Sequence, residues 1–125
     1  GAGGTSFVQI EGVRAKLAGD LRKSRLAKTF ASWGLPTVDT LLQVNDVGLP
    51  MIATGGIRNG LDVAKALVLG ADMVGIGRQM LAAAMEGPEE AVEELETIIE
   101  ELTIAMVLTE SANITALSDV EIDVV

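Results

Sequence analysis

With 125 residues, 49% of them hydrophobic, the chain has enough material for one compact core but falls short of a complete eight-stranded parallel barrel of about 250 residues, so one domain or part of one is the ceiling. It contains no cysteine and no histidine, which excludes disulfides, thiolate metal sites and the commonest catalytic base, and leaves chemistry to other groups or to a cofactor. A net charge of −9 with three aromatics argues against nucleic acid as a partner, and the lack of any run near ~20 apolar residues or of a signal-peptide start argues against a membrane, so a soluble, cytoplasmic protein is expected.

In chain order, Gly1-Ala2-Gly3-Gly4-Thr5-Ser6 is a glycine-rich segment placed before a helix beginning near Phe7. Thr5 is expected either to cap that helix or to donate to a phosphate, with a plain linker as the alternative. No strand precedes the segment to hold it, so a preceding N-terminal portion is expected. Residues 7–33 read as helix with a basic interruption, because six of the nine basic residues fall between Arg14 and Lys28. Trp33-Gly34-Leu35-Pro36-Thr37 breaks the pattern, and residues 38–44 fit a short helix or a strand.

Residues 50–54 are an apolar run closed by Gly55-Gly56, and residues 72–76 are a second one closed by Gly77. Both predict buried strands. Between them Leu61, Ala64, Leu67 and Val68 share a helical face, with an Asn59/Gly60 start, Asp62 in the first turn and Gly70 as a stop. Strand, helix and strand over this length make a βαβ unit with parallel strands, so the class is α/β. Gln79 to Met85 predicts a short helix, and Gly87-Pro88 opens a longer one from about Glu89 to Leu108. Its predicted apolar face carries Ala91, Val92, Leu95, Ile98, Ile99, Leu102, Ala105 and Met106, opposite glutamates predicted to be solvated. Charge is divided along the chain: residues 1–78 hold all nine bases against six acids, whereas residues 86–125 hold twelve acids and no base. An anionic ligand is therefore expected on the first part.

The turns Gly55-Gly56-Ile57-Arg58 and Gly75-Ile76-Gly77-Arg78 each follow a parallel strand, which puts both at the strands' C-terminal ends, the ligand face of barrels and open α/β sheets. Glycine lets a phosphate approach backbone N–H groups, a following helix N-terminus adds donors, and arginine adds a charge-assisted contact. Two such turns on neighbouring strands, the second leading into a short helix, match the barrel phosphate site. Gly77 is expected where the backbone comes closest to the phosphate, with no room for a side chain.

Five motifs carry a family resemblance: Gly-Ala-Gly-Gly-Thr-Ser-Phe at 1–7, Trp-Gly-Leu-Pro-Thr at 33–37, Ala-Thr-Gly-Gly-Ile-Arg-Asn-Gly-Leu-Asp at 53–62, Leu-Gly-Ala-Asp-Met-Val-Gly-Ile-Gly-Arg at 69–78 and Leu-Thr-Glu-Ser-Ala-Asn-Ile at 108–114. In order and spacing the chain resembles the type 2 isopentenyl diphosphate isomerases over nearly its whole length. The two glycine-arginine turns alone are shared with many FMN barrels, including 2-hydroxy acid oxidases and glutamate synthases. The resemblance implies the C-terminal part of a parallel (β/α)8 TIM barrel, a partial barrel running from the loop after strand 6 through helix 8. It implies an FMN enzyme interconverting isopentenyl and dimethylallyl diphosphate, with the flavin as acid and base, Mg2+ for the substrate diphosphate, NAD(P)H to keep the flavin reduced, and a homo-oligomeric state. Carried over by position, Thr5 and the backbone at Gly56, Ile57, Arg58, Gly77 and Arg78 hold the FMN phosphate, and Phe7 lies near flavin and substrate. The basic stretch from Arg14 to Lys28 corresponds to a mobile region after the sixth strand and is expected to be a solvated loop, with a diphosphate clamp as the alternative. The family's histidine-containing N-terminal motif, its Gln-Glu pair for substrate and magnesium, and its fifth-strand lysine have no counterpart here, so no catalytic residue and no metal ligand is assigned to this segment, and the isolated chain is expected to be inactive. The alternatives are another FMN-binding barrel oxidoreductase, or a non-catalytic phosphate-binding partial barrel that pairs its strand edges with a second copy.

Overall fold

A computed structural model describes Gly4 and residues 6–123. Its elements are α1 (Phe7–Leu17), α2 (Leu21–Thr29), α3 (Thr37–Val44), one 3-10 turn (Asn45–Val47), β1 (Ile52–Thr54), α4 (Gly60–Val68), β2 (Met73–Gly75), α5 (Arg78–Glu86), α6 (Pro88–Leu108) and α7 (Ile114–Leu117).

The centre is the expected βαβ unit. β1 and β2 run parallel, with Ile52 opposite Met73, Ala53 opposite Val74 and Thr54 opposite Gly75, so the two glycine turns leave the sheet side by side. The connecting helix α4 has the predicted ends. Asn59 Oδ1 accepts the Asp62 N–H at 2.8 Å, which satisfies one of the donors a helix start leaves open. At the other end Gly70 adopts φ 96, its N–H donating to Leu67 O (3.0 Å) while the Ala71 N–H donates to Ala66 O (3.1 Å). This is the paired bonding that a left-handed residue allows after a helix.

α4 is packed on two sides. Val63, Ala64 and Leu67 join Ile98, Ala105 and Leu117, and Ala66 and Leu69 join Leu41, Ala53 and Ala71. The approach of α6 is close at Gly60, where a Cβ would run into the backbone of Ile98 and Leu102.

Three expectations need correction. The strands are only partly buried: Ala53 is 1% exposed, but Ile52 and Met73 are 63% and 62% exposed. On α6 only Ile98 and Ala105 of the eight-residue apolar face are buried, and Leu61 on α4 is exposed. Helical or strand period decides which residues share a side, and burial needs a second layer on that side. The chain exposes 9329 Å², against roughly 6300 Å² for a compact folded monomer of its mass, so among the described residues much of that layer is lacking. The third correction concerns residues 7–33. The basic stretch is helical, and the break falls at Gly19 (φ 71), where its N–H donates to Lys16 O and the Asp20 N–H to Ala15 O. Asp20 then caps α2 by accepting the Lys23 N–H at 2.9 Å. Residues 38–44 are helix, and α1 is capped by Ser6, whose Oγ accepts the Gln9 N–H. Among the described residues no helix is long and apolar enough to cross a membrane.

Candidate functional site: a glycine-walled cleft

The two glycine turns and the last residues of the strands enclose a cleft of about 590 Å³. Gly4, Thr54, Gly55, Gly56, Ile57 and Arg58 form one wall, and Gly75, Gly77, Arg78 and Gln79 the other. The structure therefore brings five of the sequence-predicted residues together: Gly56, Ile57, Arg58, Gly77 and Arg78. Two arginines and no acidic residue line the cleft, and among the described residues neither arginine forms an ion pair, the ion pairs being Arg14–Glu11 and Lys23–Asp20.

Glycine is required in the first turn for conformation. Gly55 and Gly56 adopt φ 112 and 83, a region that side chains rarely enter. Gly4 seats against this turn, since a Cβ on it would lie 3.0 Å from Gly55 Cα, so the glycine-rich start packs on the site at least at this residue. Gly77 differs from expectation. Its φ is −103, which any residue tolerates, and a Cβ there would meet no protein atom within 4 Å. The protein leaves room for a side chain at this point, and a need for glycine here would come from whatever fills the cleft.

The helix starts next to the two turns are not equivalent. At α4 three N–H groups at and just before the helix start already have side-chain acceptors: Gly60 N–H donates to Glu101 Oε2 at 2.6 Å, Asp62 N–H to Asn59, and the preceding Arg58 N–H to Asp62 Oδ2 at 3.1 Å. The Arg58 backbone is thus engaged internally, and only its side chain is free to serve a ligand in the cleft. At α5 the cap is Gly77 and no side chain caps the helix. Its first N–H groups, at Arg78 and Gln79 in the cleft wall, have no protein acceptor among the described residues.

Phe7 begins α1 and lies away from this cleft, 79% exposed, on a separate groove of about 460 Å³ with Leu26 and Phe30 of the α1–α2 pair. Thr5 lies outside the described residues. Sequence reasoning missed Thr37, whose Oγ1 donates to Gly55 O at 2.8 Å, and Glu101. Neither has a local signal, since they stand 18 and 41 residues from their partners. Asp62 had one in part: Asn59-Gly60-Leu61-Asp62 has the spacing of a capping box, of which the Asn59 half forms while Asp62 accepts from Arg58, one residue before the cap.

The family model described as FMN-dependent dehydrogenase matches residues 33–123. Curated relatives named isopentenyl-diphosphate delta-isomerase, the enzymes that the sequence motifs resemble, include those of Stutzerimonas stutzeri, 45% identical over 94% of this chain and 34% of the relative, and Pyrobaculum islandicum, 48% identical over 91% and 32%. The chain spans about a third of the length of the curated relatives it matches. A solved lactate oxidase of Pediococcus acidilactici is 32% identical and superposes with a TM-score of 0.58 over 68% of this chain and 24% of that one. With the parallel βαβ unit and the cleft at the strands' C-terminal ends, these likenesses identify part of a parallel α/β barrel, and the chain belongs to the FMN-dependent dehydrogenase family.

Proposed function

We propose that the cleft holds the phosphate of FMN, and that the chain is the C-terminal part of an FMN-dependent isomerase interconverting isopentenyl and dimethylallyl diphosphate, from the loop after the sixth strand through the eighth helix. The names of the relatives support the activity. The observation that carries the phosphate assignment is the uncapped start of α5, opening into a cleft walled by two glycine turns and two arginines with no carboxylate. Open N–H groups and the positive end of a helix favour a dianion. Gly56 and Ile57 N–H groups and the Arg58 and Arg78 side chains are the further donors, and Thr5 and Phe7 keep their places in this reading as a phosphate ligand and a neighbour of flavin and substrate.

Bound there, FMN supplies the acid–base chemistry in a chain without histidine. The chain's own residues bind and orient its phosphate tail. Mg2+ for the substrate diphosphate, NAD(P)H as reductant, a homo-oligomeric state and a cytoplasmic location belong to the same proposal, with no Mg2+ ligand assigned to these residues. A hydroxy acid oxidase is the second reading, favoured by the lactate oxidase likeness at 32% identity and outweighed by isomerase relatives at 45% and 48%.

The test is titration with FMN and with riboflavin, which lacks the phosphate, followed by flavin fluorescence. Charge-assisted contacts worth about 1.5–3 kcal/mol predict FMN binding roughly 10- to 100-fold tighter. Equal affinities would remove the phosphate site.

A further inference from the structure

The turn that forms one wall of the cleft is tied down at both ends by side chains from outside the βαβ unit. At its start Thr37, the first residue of α3, donates from Oγ1 to the Gly55 carbonyl at 2.8 Å in a part-buried contact. A Cβ on Gly55 would lie 3.1 Å from the same hydroxyl, so the hydroxyl and the φ 112 conformation fit one another. At its end Glu101, on α6, accepts the Gly60 N–H at 2.6 Å, also part-buried. Between these ties Asp62 holds the Arg58 N–H. The N–H groups of Gly56 and Ile57 are then left in the cleft wall with no acceptor among the described residues.

We propose that Thr37 and Glu101 are positioning residues of the cleft, which fix the Gly55–Gly60 segment so that the Gly56 and Ile57 N–H groups stay in its wall. Left-handed glycines have a shallow conformational preference of their own, so two adjacent ones need ties at each end to present fixed donors. Neither side chain lines the cleft, and both act through the backbone. The inference rests on the phosphate reading above for its effect on affinity, and on hydrogen bonding alone for its effect on the turn.

The test uses the full chain with Thr37→Val, Thr37→Ser, Glu101→Ala and Glu101→Gln, reading affinity for FMN and riboflavin together with amide exchange at Gly56 and Ile57. Thr37→Val and Glu101→Ala are expected to weaken FMN binding by up to about tenfold, leave riboflavin within about twofold, and speed exchange at both amides. Thr37→Ser and Glu101→Gln keep a donor and an acceptor in place and should stay near the parent. If Glu101 acted only as a negative charge, Glu101→Ala and Glu101→Gln would tighten FMN binding equally, which overturns the positioning role. A fall in melting temperature with FMN selectivity and exchange unchanged overturns it too, as a purely structural effect. Should the parent fail to prefer FMN over riboflavin, the phosphate reading falls, and exchange decides the ties: unaltered rates in Thr37→Val and Glu101→Ala end this proposal as well.

Discussion

Gly77→Asp is expected to move binding and stability in opposite directions. The backbone accepts the change, with φ −103 and no protein atom within 4 Å of a new Cβ. Gly77 caps α5, and a carboxylate near a helix N-terminus stabilises by about 0.3–1 kcal/mol through the dipole. A rise in melting temperature of roughly 1–4 °C follows for a domain of this size. The same carboxylate would stand within about 4 Å of the proposed FMN phosphate. Two unit charges at that distance repel by ~4 kcal/mol at an effective dielectric of 20 and ~1 kcal/mol in water, which brackets the loss between roughly fivefold and a thousandfold. Gly77 is exposed, so solvent screening draws the effect toward the lower half of that range and makes it fall with added salt. Gly77→Ala is the control: it adds bulk without charge and should weaken FMN binding less than Asp, with riboflavin little affected by either. Flavin fluorescence titration at low and high salt, beside a thermal melt, reads all of these. An Asp variant that melts at or above the parent and binds FMN just as tightly would refute the phosphate assignment at this turn.

Two stability predictions come from the helix ends. Glu110 sits at φ 56, with its N–H on Val107 O and the Ser111 N–H on Met106 O, the bonding that Gly19 and Gly70 make with glycine. Glu110→Gly should therefore stabilise by about 0.5–1 kcal/mol, the left-handed penalty exceeding the extra freedom of glycine in the unfolded chain, and a lower midpoint in urea would count against it. Gly60→Ala forces a methyl into the backbone of Ile98 and Leu102 and should cost about 1–3 kcal/mol; an unchanged melting curve would show that α4 and α6 do not pack as closely as described.

The parts of the fold that were legible in the sequence are those governed by neighbours a few residues away. Asn59, Asp62 and Gly70 bound α4 because capping and left-handed termination are local events. The break in residues 7–33 is local as well: Gly19 supplies the stop and Asp20 the next start, and the cluster of charges does not interrupt the helices. Burial was not legible, since Ile52 and Met73 are apolar and lie in paired strands yet stand exposed, and no sequence period records whether a second layer is present. In the site, the glycines and arginines could be read from type and spacing, whereas Thr37 and Glu101 are brought in by packing across the fold.

Read as sequence, Gly55-Gly56-Ile57-Arg58 and Gly75-Ile76-Gly77-Arg78 look like two copies of one device, and the contacts around them divide the work. The first turn needs left-handed glycines, and the helix after it has its start filled by Asn59 and two carboxylates, Asp62 and Glu101. A dianion seeking those N–H groups would have to displace hydrogen bonds already made, at about 0.5–1.5 kcal/mol each and more where charge is involved, while facing two like charges. The second turn has no glycine at positive φ and leads into a helix whose start no side chain fills. An anion there displaces nothing from the protein and meets the positive end of α5 directly. The proposed phosphate therefore belongs at the start of α5, with the first turn contributing the Gly56 and Ile57 N–H groups of a fixed wall and the Arg58 side chain, and this asymmetry is what makes Gly77, with its open space, the position where a single charge should be felt most.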